Sequence, residues 1–210
     1  NYRAIKLREL EETDSAALLA TLLDSRSLDV QLQQIVLPAA RGNPLFLREF
    51  VASLTEAEIL QRRDGVWRLT RLLARRDVPD TIQRVIRLRI EALSDAAQQV
   101  LPVLAVCGDR CESSLIEMVL QDTGRQLDVG LAELEDRELI QRRWEDDAYV
   151  FTHGLIQEEV YHTLLGEERR RYHRRIGRAL EMLYVNQIEG VLDRLSHHFF
   201  SAVTASGLLG

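Results

Sequence analysis

The five histidines are the side chains of this sequence best suited to metal binding or to proton transfer near neutral pH. His197 and His198 are adjacent, and neighbouring side chains on a helix point about 100° apart, so we expect that they cannot easily share a metal ion. His162 and His173 lie on segments with amphipathic helical periodicity, which favours solvated or half-buried imidazoles. The sequence has no His-Glu-x-x-His motif and no Cys/His cluster. We therefore predict no metal site.

Cysteine and lysine chemistry is equally limited. Cys107 and Cys111 are fewer ligands than a structural zinc site needs, and their spacing favours buried or half-buried thiols. Lys6 is the only lysine, so the chain lacks the Gly-Lys-Ser or Gly-Lys-Thr of a phosphate-binding loop. A Gly-x-Ser-x-Gly nucleophile motif is also absent. An enzyme that acts on its own is therefore the least favoured class of function.

Positive charge is concentrated in one segment, with arginines at positions 169, 170, 171, 174, 175 and 178. Glu167, Glu168 and Glu181 stand at helical spacings from these arginines, which favours a helix face with ion pairs over a nucleic-acid patch. The whole chain has a net charge of -6 and lacks the strongly basic character of a dedicated nucleic-acid-binding domain.

Length and hydropathy limit the class of protein further. A chain of 210 residues corresponds to one large or two small packed units. No apolar run approaches the roughly 18 residues that span a bilayer, and the first twenty residues lack the basic start and apolar stretch of a signal peptide. We therefore expect a cytoplasmic protein without membrane contact. The chain begins with Asn1 and has no obvious natural end, so we expect it to be a piece of a longer protein.

The elements that must position any site are mostly helical. Capping residues and apolar periodicity predict helices that begin near residues 13, 28, 44, 80, 94, 113, 125, 153, 168 and 187. Pro38 is expected to end the second helix early. Asp64-Gly65 predicts a hairpin between residues 59–63 and 66–70. Residues 4–10 alternate like a strand with no partner nearby, which predicts the last strand of an upstream sheet.

The second half of the sequence has the order of a winged-helix domain. Three predicted helices are followed by two short strands, at residues 139–143 and 149–152, and then by an antiparallel series of helices. The third of these helices, residues 125–138, contains five acidic and two basic residues, and the tip between the two predicted strands adds three acids. A surface of that sign repels phosphate, so we interpret the winged helix as a packing module. The fold class is mainly α with small β-hairpins.

Two segments stand out by their motifs: Gly-Asn-Pro-Leu-Phe-Leu at residues 42–47, and Phe-Thr-His-Gly-Leu-Ile-Gln-Glu-Glu-Val-Tyr at residues 151–161. On composition alone, the first is a helix junction and the second is a strand running into a helix. Together with Val-Pro-Asp-Thr-Ile at residues 78–82 and with residues 134–140, they resemble the regulatory half of STAND-type AAA-related ATPases. Such ATPase regions occur in bacterial transcription activators and adenylate cyclase fusion proteins. The resemblance covers nearly the whole chain.

The resemblance implies a domain order and a nucleotide site. The implied domains are the last strand of an upstream nucleotide-binding domain at residues 1–10, a helical lid at 11–93, a winged helix at 94–165, and the start of TPR-like helical repeats at 166–210. In this family the Gly-x-Pro of the lid contacts adenine, which implies Gly42 and Pro44 here. The winged-helix histidine that reaches the β-phosphate of ADP, and holds the closed state, would be His153.

The same resemblance implies the cofactor and the partners. ATP or ADP would be bound with Mg²⁺ supplied by the upstream domain, which would also hold the phosphate-binding loop, so the chain alone is not expected to hydrolyse ATP. The implied function is an ADP/ATP switch that controls an output domain such as a transcription regulator or a cyclase. Implied partners are the upstream domain, proteins bound by the helical repeats, and further copies in a nucleotide-dependent homo-oligomer, with no direct contact to nucleic acid. The alternative is a non-catalytic winged-helix and helical-repeat module for protein interaction or DNA binding.

Overall fold

A computed structural model describes residues 8–25, 30–63, 65–74, 77–121 and 124–204. Within these residues the fold is mainly α, as the sequence predicts, with ten α-helices and two small antiparallel sheets of short strands. The chain divides into two compact units, residues 1–92 and 93–210. In the part of the chain that the structure describes, no helix is long and apolar enough to cross a membrane.

Unit 1 consists of helices around one hairpin. Its described elements are α1 (Glu12–Leu22), α2 (Val30–Ala40), α3 (Pro44–Glu56), β1 (Leu60–Arg63), β2 (Val66–Leu69) and α4 (Ile82–Glu91). The strands pair from Leu60 opposite Leu69 to Arg63 opposite Val66. The apolar faces of the helices meet in a core whose fully buried members include Leu19, Leu32, Leu47, Phe50 and Val85. The hairpin is attached to α1, because the Trp67 indole N–H donates to the carbonyl of Leu23 at 2.6 Å.

The structure corrects two local predictions in unit 1 and leaves a third untested. α1 begins at Glu12 after Glu11, not at the predicted cap at residue 13 or 14, and two acidic side chains in its first turn suit the helix dipole. α2 continues through Pro38 to Ala40, because a proline this near the helix end removes a single donor, and Arg41 N still bonds Leu37 O at 3.3 Å. Of the strand predicted at residues 4–10, residues 4–7 lie outside the described part of the chain, and residues 8–10 are irregular.

Unit 2 begins with a helix, a strand, two helices and a hairpin. Its elements are α5 (Asp95–Cys107), β3 (Cys111–Glu112), α6 (Ser113–Leu120), α7 (Arg125–Asp136), β4 (Ile140–Arg143), β5 (Ala148–Phe151), α8 (Gly154–Thr163), α9 (Gly166–Leu183), a 3₁₀ turn (Ile188–Val191) and α10 (Leu192–Thr204). The strand order β3-β5-β4 is that of a winged helix. The sequence does not predict β3, since two residues are too few to show alternation.

Two glycines in unit 2 allow neighbouring helices to approach closely. A Cβ at Gly130 of α7 would lie 2.7 Å from the carbonyl oxygen of Ala96 in α5. A Cβ at Gly177 of α9 would lie 2.9 Å from the ring of Phe199 in α10. Such distances are shorter than van der Waals contact. The contact at Gly130 is with backbone, so α5 and α7 depend on glycine there, whereas at Gly177 the Phe199 ring could move. The second contact brings side chains of α9 and α10 together.

Candidate functional site

The Gly42 segment is a tight link between α2 and α3. Arg41 and Gly42 both have positive φ angles, of 48° and 75°. The N–H of Leu10 donates to the carbonyl of Gly42 at 2.8 Å, and a Cβ at Gly42 would lie 2.4 Å from the oxygen of Leu10. Glycine is therefore required here for its backbone conformation and for the close approach of residues 9–10.

Asn43 and Pro44 form the N-terminus of α3. The Asn43 side-chain oxygen accepts hydrogen bonds from the N–H groups of Leu45 at 3.0 Å and Phe46 at 3.2 Å. Two of the donors that a helix leaves unpaired at its N-terminus are thus satisfied within the chain. Pro44 occupies the first helical position, where it needs no N–H partner, and its ring is exposed. The segment therefore presents an apolar ring to solvent.

A surface groove of about 860 Å³ in unit 1 lies beside this segment. Arg41, next to Gly42, lines it, and so do Val78, Pro79 and Asp80. One segment that carries the family resemblance, residues 78–82, therefore borders this groove, together with the residue that precedes the other segment. Its other lining residues include Arg84 as a second cation, and its volume falls within the range of small-molecule sites.

His153 lies in unit 2, where β5 leads into α8. It is the N-cap residue of α8, with extended backbone, and its carbonyl accepts the N–H of Ile156 at 3.0 Å. Thr152 before it is fixed to the turn between α7 and β4, because its hydroxyl donates to the carbonyl of Glu138 at 2.7 Å. The imidazole is half-buried at the helix N-terminus. Gly42 and Pro44 belong to unit 1, so the predicted site residues are divided between the two units.

Unit 1 contains a buried ion-pair cluster that the sequence does not reveal. Arg89 of α4 donates to Glu56 of α3 at 2.6 Å and also bonds Glu49, whose side chain is fully buried. Arg48 contacts the same Glu49 at 3.0 Å. Burial by itself would lower the pKa of Arg89, but the hydrogen bond to Glu56 and the charge of Glu49 outweigh it and raise the pKa. The only signal in the sequence is that Glu49 and Glu56 are seven residues apart on an apolar helix face.

A second polar cluster lies in unit 2 beside the thiols. Cys107 and Cys111 are both buried and free, as predicted. Glu112 accepts from Arg194 at 2.7 Å and from Arg110 at 2.9 Å. Burial would raise the pKa of Glu112, but these two guanidinium groups lower it to about 2. The cluster borders a groove of about 880 Å³. Arg110 also pairs with Asp146 at 2.9 Å, so the two cations and two anions neutralise one another within the protein.

The histidines differ from their expected arrangement. His173 of α9 lies against His197 and His198 of α10, and one ring nitrogen of each lies within 4.8 Å of the others. The prediction considered only the 100° between adjacent residues of one helix and took no account of a third histidine on the facing helix. His162 is exposed on α8, with its Nε2 3.7 Å from Glu158.

Comparison with known protein families gives a match to the first part of the chain. A model of a domain of unknown function (DUF8739) matches residues 11–68, which contain α1, α2, α3 and most of the hairpin. Gly42 and Pro44 lie inside the matched range, while His153 lies outside it. No curated protein and no solved structure matches the chain. The match covers less than half of the chain and assigns it no activity.

Proposed function

We propose that this chain is the regulatory region of a nucleotide-gated signalling ATPase of the STAND type. The observation that supports this most is the groove of unit 1, where Arg41 beside the Gly42 segment meets Val78, Pro79 and Asp80. The exposed Pro44 ring offers a flat apolar surface to adenine. Arg41 and Arg84 offer positive charge to a nucleotide.

The organisation of unit 2 also supports the proposal. A winged helix followed by antiparallel helices is the order that the resemblance implies. His153 stands at the N-terminus of α8, and a helix N-terminus favours negative charge such as a phosphate. In this role the imidazole donates a hydrogen bond to the β-phosphate of ADP. The same proposal includes the domain limits: the helical lid ends at residue 93, and the winged helix ends at residue 165, where the helical repeats begin.

The switch follows from differential binding. A ligand shifts a two-state equilibrium only as far as its affinities for the two states differ. ADP bound by an upstream domain, with Pro44 at the base and His153 at the β-phosphate, would favour a closed, inactive state. Exchange for ATP would favour an open state that controls an output domain and assembles with further copies. The upstream domain would supply the phosphate-binding loop and Mg²⁺, and the chain's own part is to bind and to position.

The test uses the chain joined to its upstream domain and a fluorescent ADP analogue. Loss of a hydrogen bond to a charged group costs about 1.5–3 kcal/mol, so His153→Ala should weaken ADP binding about 10- to 100-fold. His162→Ala removes an exposed histidine of the same helix and should leave the affinity unchanged. Equal affinity in the His153 and His162 variants would contradict the role of His153.

Pro44→Ala separates base recognition from phosphate recognition. Asn43 already caps α3, so the segment has little to offer a phosphate, and Pro44 would act on the base alone. We therefore expect Pro44→Ala to weaken ADP and ATP equally, while His153→Ala weakens ADP more than ATP. Titration of both nucleotides with both variants measures the two ratios. A change in the ADP/ATP ratio with Pro44→Ala would mean that this segment recognises phosphate.

The alternative is an interaction or DNA-binding module without nucleotide control. One observation favours it: Trp144 is 77% exposed at the turn between β4 and β5, with the Arg142 guanidinium 4.2 Å above its ring. The acids of this turn are paired, Asp147 with Arg142 and Asp146 with Arg110, so the turn is less negative than its sequence indicates. Binding to duplex DNA at low salt that is lost with Trp144→Ala would establish this alternative.

A further inference from the structure

Three histidines of unit 2, remote in sequence from Gly42, Pro44 and His153, form a cluster. His173 lies on α9, and His197 and His198 lie on α10. The Nδ1 atoms of His173 and His198 are 2.9 Å apart, and a ring nitrogen of His197 lies within 4.8 Å of both. The two helices pack closely here, since a Cβ at Gly177 of α9 would lie 2.9 Å from the ring of Phe199 in α10.

The cluster is enclosed on one side and open on the other. His173 and His198 are each 1% exposed, while His197 is exposed. The Nε2 atom of His173 lies 3.2 Å from the Tyr161 hydroxyl, which fixes the orientation of that ring. Histidines that bind metals usually hydrogen-bond through the ring nitrogen that does not bind the metal. The Nδ1 of His173 is thus directed toward the other two rings.

The contact between the two buried rings also bears on their protonation. A hydrogen bond between two ring nitrogens needs one donor and one acceptor, and only a neutral imidazole has an accepting nitrogen. Neutral imidazole is the form that binds metal ions.

We propose that His173, His197 and His198 bind a Zn²⁺ ion, with water completing the coordination on the open side. Imidazole ligands favour zinc over magnesium or calcium, which prefer oxygen. Nitrogens at about 2.0–2.1 Å from a tetrahedral zinc lie roughly 3.4 Å apart. The Nδ1 atoms of the two buried rings are already close to this separation. His197 would reach it by a rotation of its exposed side chain. Three protein ligands plus water make a zinc site of the open kind, and the ion links α9 to α10.

To test this site, the full chain is first freed of metal by a chelator. Zn²⁺ binding is then measured by calorimetry, and Co²⁺ binding by visible absorption spectroscopy. We expect one ion per chain and the absorption of tetrahedral Co²⁺. His197→Ala should weaken Zn²⁺ binding at least about tenfold, since loss of an outer-shell partner alone costs that much. Because His197 is exposed, this substitution leaves the core intact. His162→Ala is the matched control and should bind like the unaltered chain.

Two results would overturn the zinc site. One is that the unaltered chain binds neither ion. The other is that His197→Ala and His162→Ala bind Zn²⁺ equally. In either case His173 and His198 form a hydrogen-bonded pair of imidazoles and nothing more. The readout is metal binding, so both results leave the nucleotide proposal unaffected.

Discussion

The buried ion-pair cluster of unit 1 provides a quantitative test of what joins α3 to α4. Arg89→Met keeps an unbranched side chain but removes the guanidinium that bonds Glu49 and Glu56. Removing one partner of a buried pair costs about 3–5 kcal/mol. Arg48 still contacts Glu49 at 3.0 Å, so we expect a loss of about 3 kcal/mol, at the lower end of that range. Such a loss is a large share of the stability of a small domain.

Tryptophan fluorescence during urea unfolding measures this loss within unit 1. The chain has two tryptophans, Trp67 in unit 1 and Trp144 in unit 2. In a Trp144→Phe background the signal reports Trp67 alone, which is attached to α1 through Leu23. Arg84→Ala, an exposed change on the same α4, should alter the free energy of unfolding by less than about 0.5 kcal/mol.

A double variant distinguishes an unpaired charge from lost packing. Glu49→Leu combined with Arg89→Met removes the buried anion together with its cation, and apolar replacement of a whole buried pair is often neutral or stabilising. We expect the double variant to be more stable than Arg89→Met by at least about 1 kcal/mol. Two results would refute this reasoning. One is a loss of unfolding free energy in the double variant that equals the sum of the losses in the two single variants. The other is a loss below about 1 kcal/mol for Arg89→Met alone.

Three further predictions concern backbone conformation and pH. Gly42→Ala should lower the free energy of unfolding by more than about 2 kcal/mol, because the added Cβ clashes with Leu10 and the φ angle is positive. Gly65→Ala has a similar φ angle but no neighbouring atom, so it should lower this free energy by only about 1 kcal/mol. Urea unfolding measures both values. Burial lowers the pKa of His198 to about 3, so its contribution to stability is complete above about pH 6.5 and falls as the pH decreases. Between pH 7 and 4, the free energy of unfolding of the unaltered chain should therefore decrease by about 3 kcal/mol more than that of His198→Gln. The pKa of Glu112 is lowered to about 2, so its contribution to stability is present above about pH 4.5 and is lost as the pH falls through 2. Arg194→Met removes one of the two guanidinium groups that bond Glu112, so it should raise this pKa, as measured by a carbon-13 titration of the carboxyl group.

Each of these has a result that contradicts it. Equal losses for the two glycine variants would show that the contact with residues 9–10 is not tight. A parallel pH dependence of the unaltered chain and His198→Gln would place the acid sensitivity elsewhere. An unchanged titration of Glu112 after Arg194→Met would assign its low pKa to Arg110.

The local elements could be predicted because their signals lie within a few residues of sequence. Ser94 and Thr81 cap helices at the expected positions, with side-chain oxygens that accept from the N–H groups of Ala97 and Arg84. Gly65, with its φ of 79°, lies in the predicted hairpin. The mainly α fold class follows from such signals. β3 could not be predicted, because its two residues exist as a strand only through pairing with β5.

The polar clusters could not be predicted, because they depend on which helices pack together. Glu49 meets Arg89 across forty positions of sequence, and His173 meets His198 across twenty-five. Periodicity identifies the buried face of each helix but not the helix that it faces. The family resemblance depends on segments with recognisable motifs. The three histidines of the cluster belong to no such motif, so the resemblance could not identify them.

The Gly42–Pro44 segment shows how a local structural role and a binding role can be separated. Gly42 is explained by its positive φ and its contact with Leu10, and Asn43 by the N–H groups that it caps. Neither residue then needs a ligand to account for its presence. Pro44 is different, since many residues suit the first turn of a helix but few present so rigid an apolar ring at the surface. Within this segment, the case for nucleotide recognition therefore rests on Pro44 and on the groove beside it.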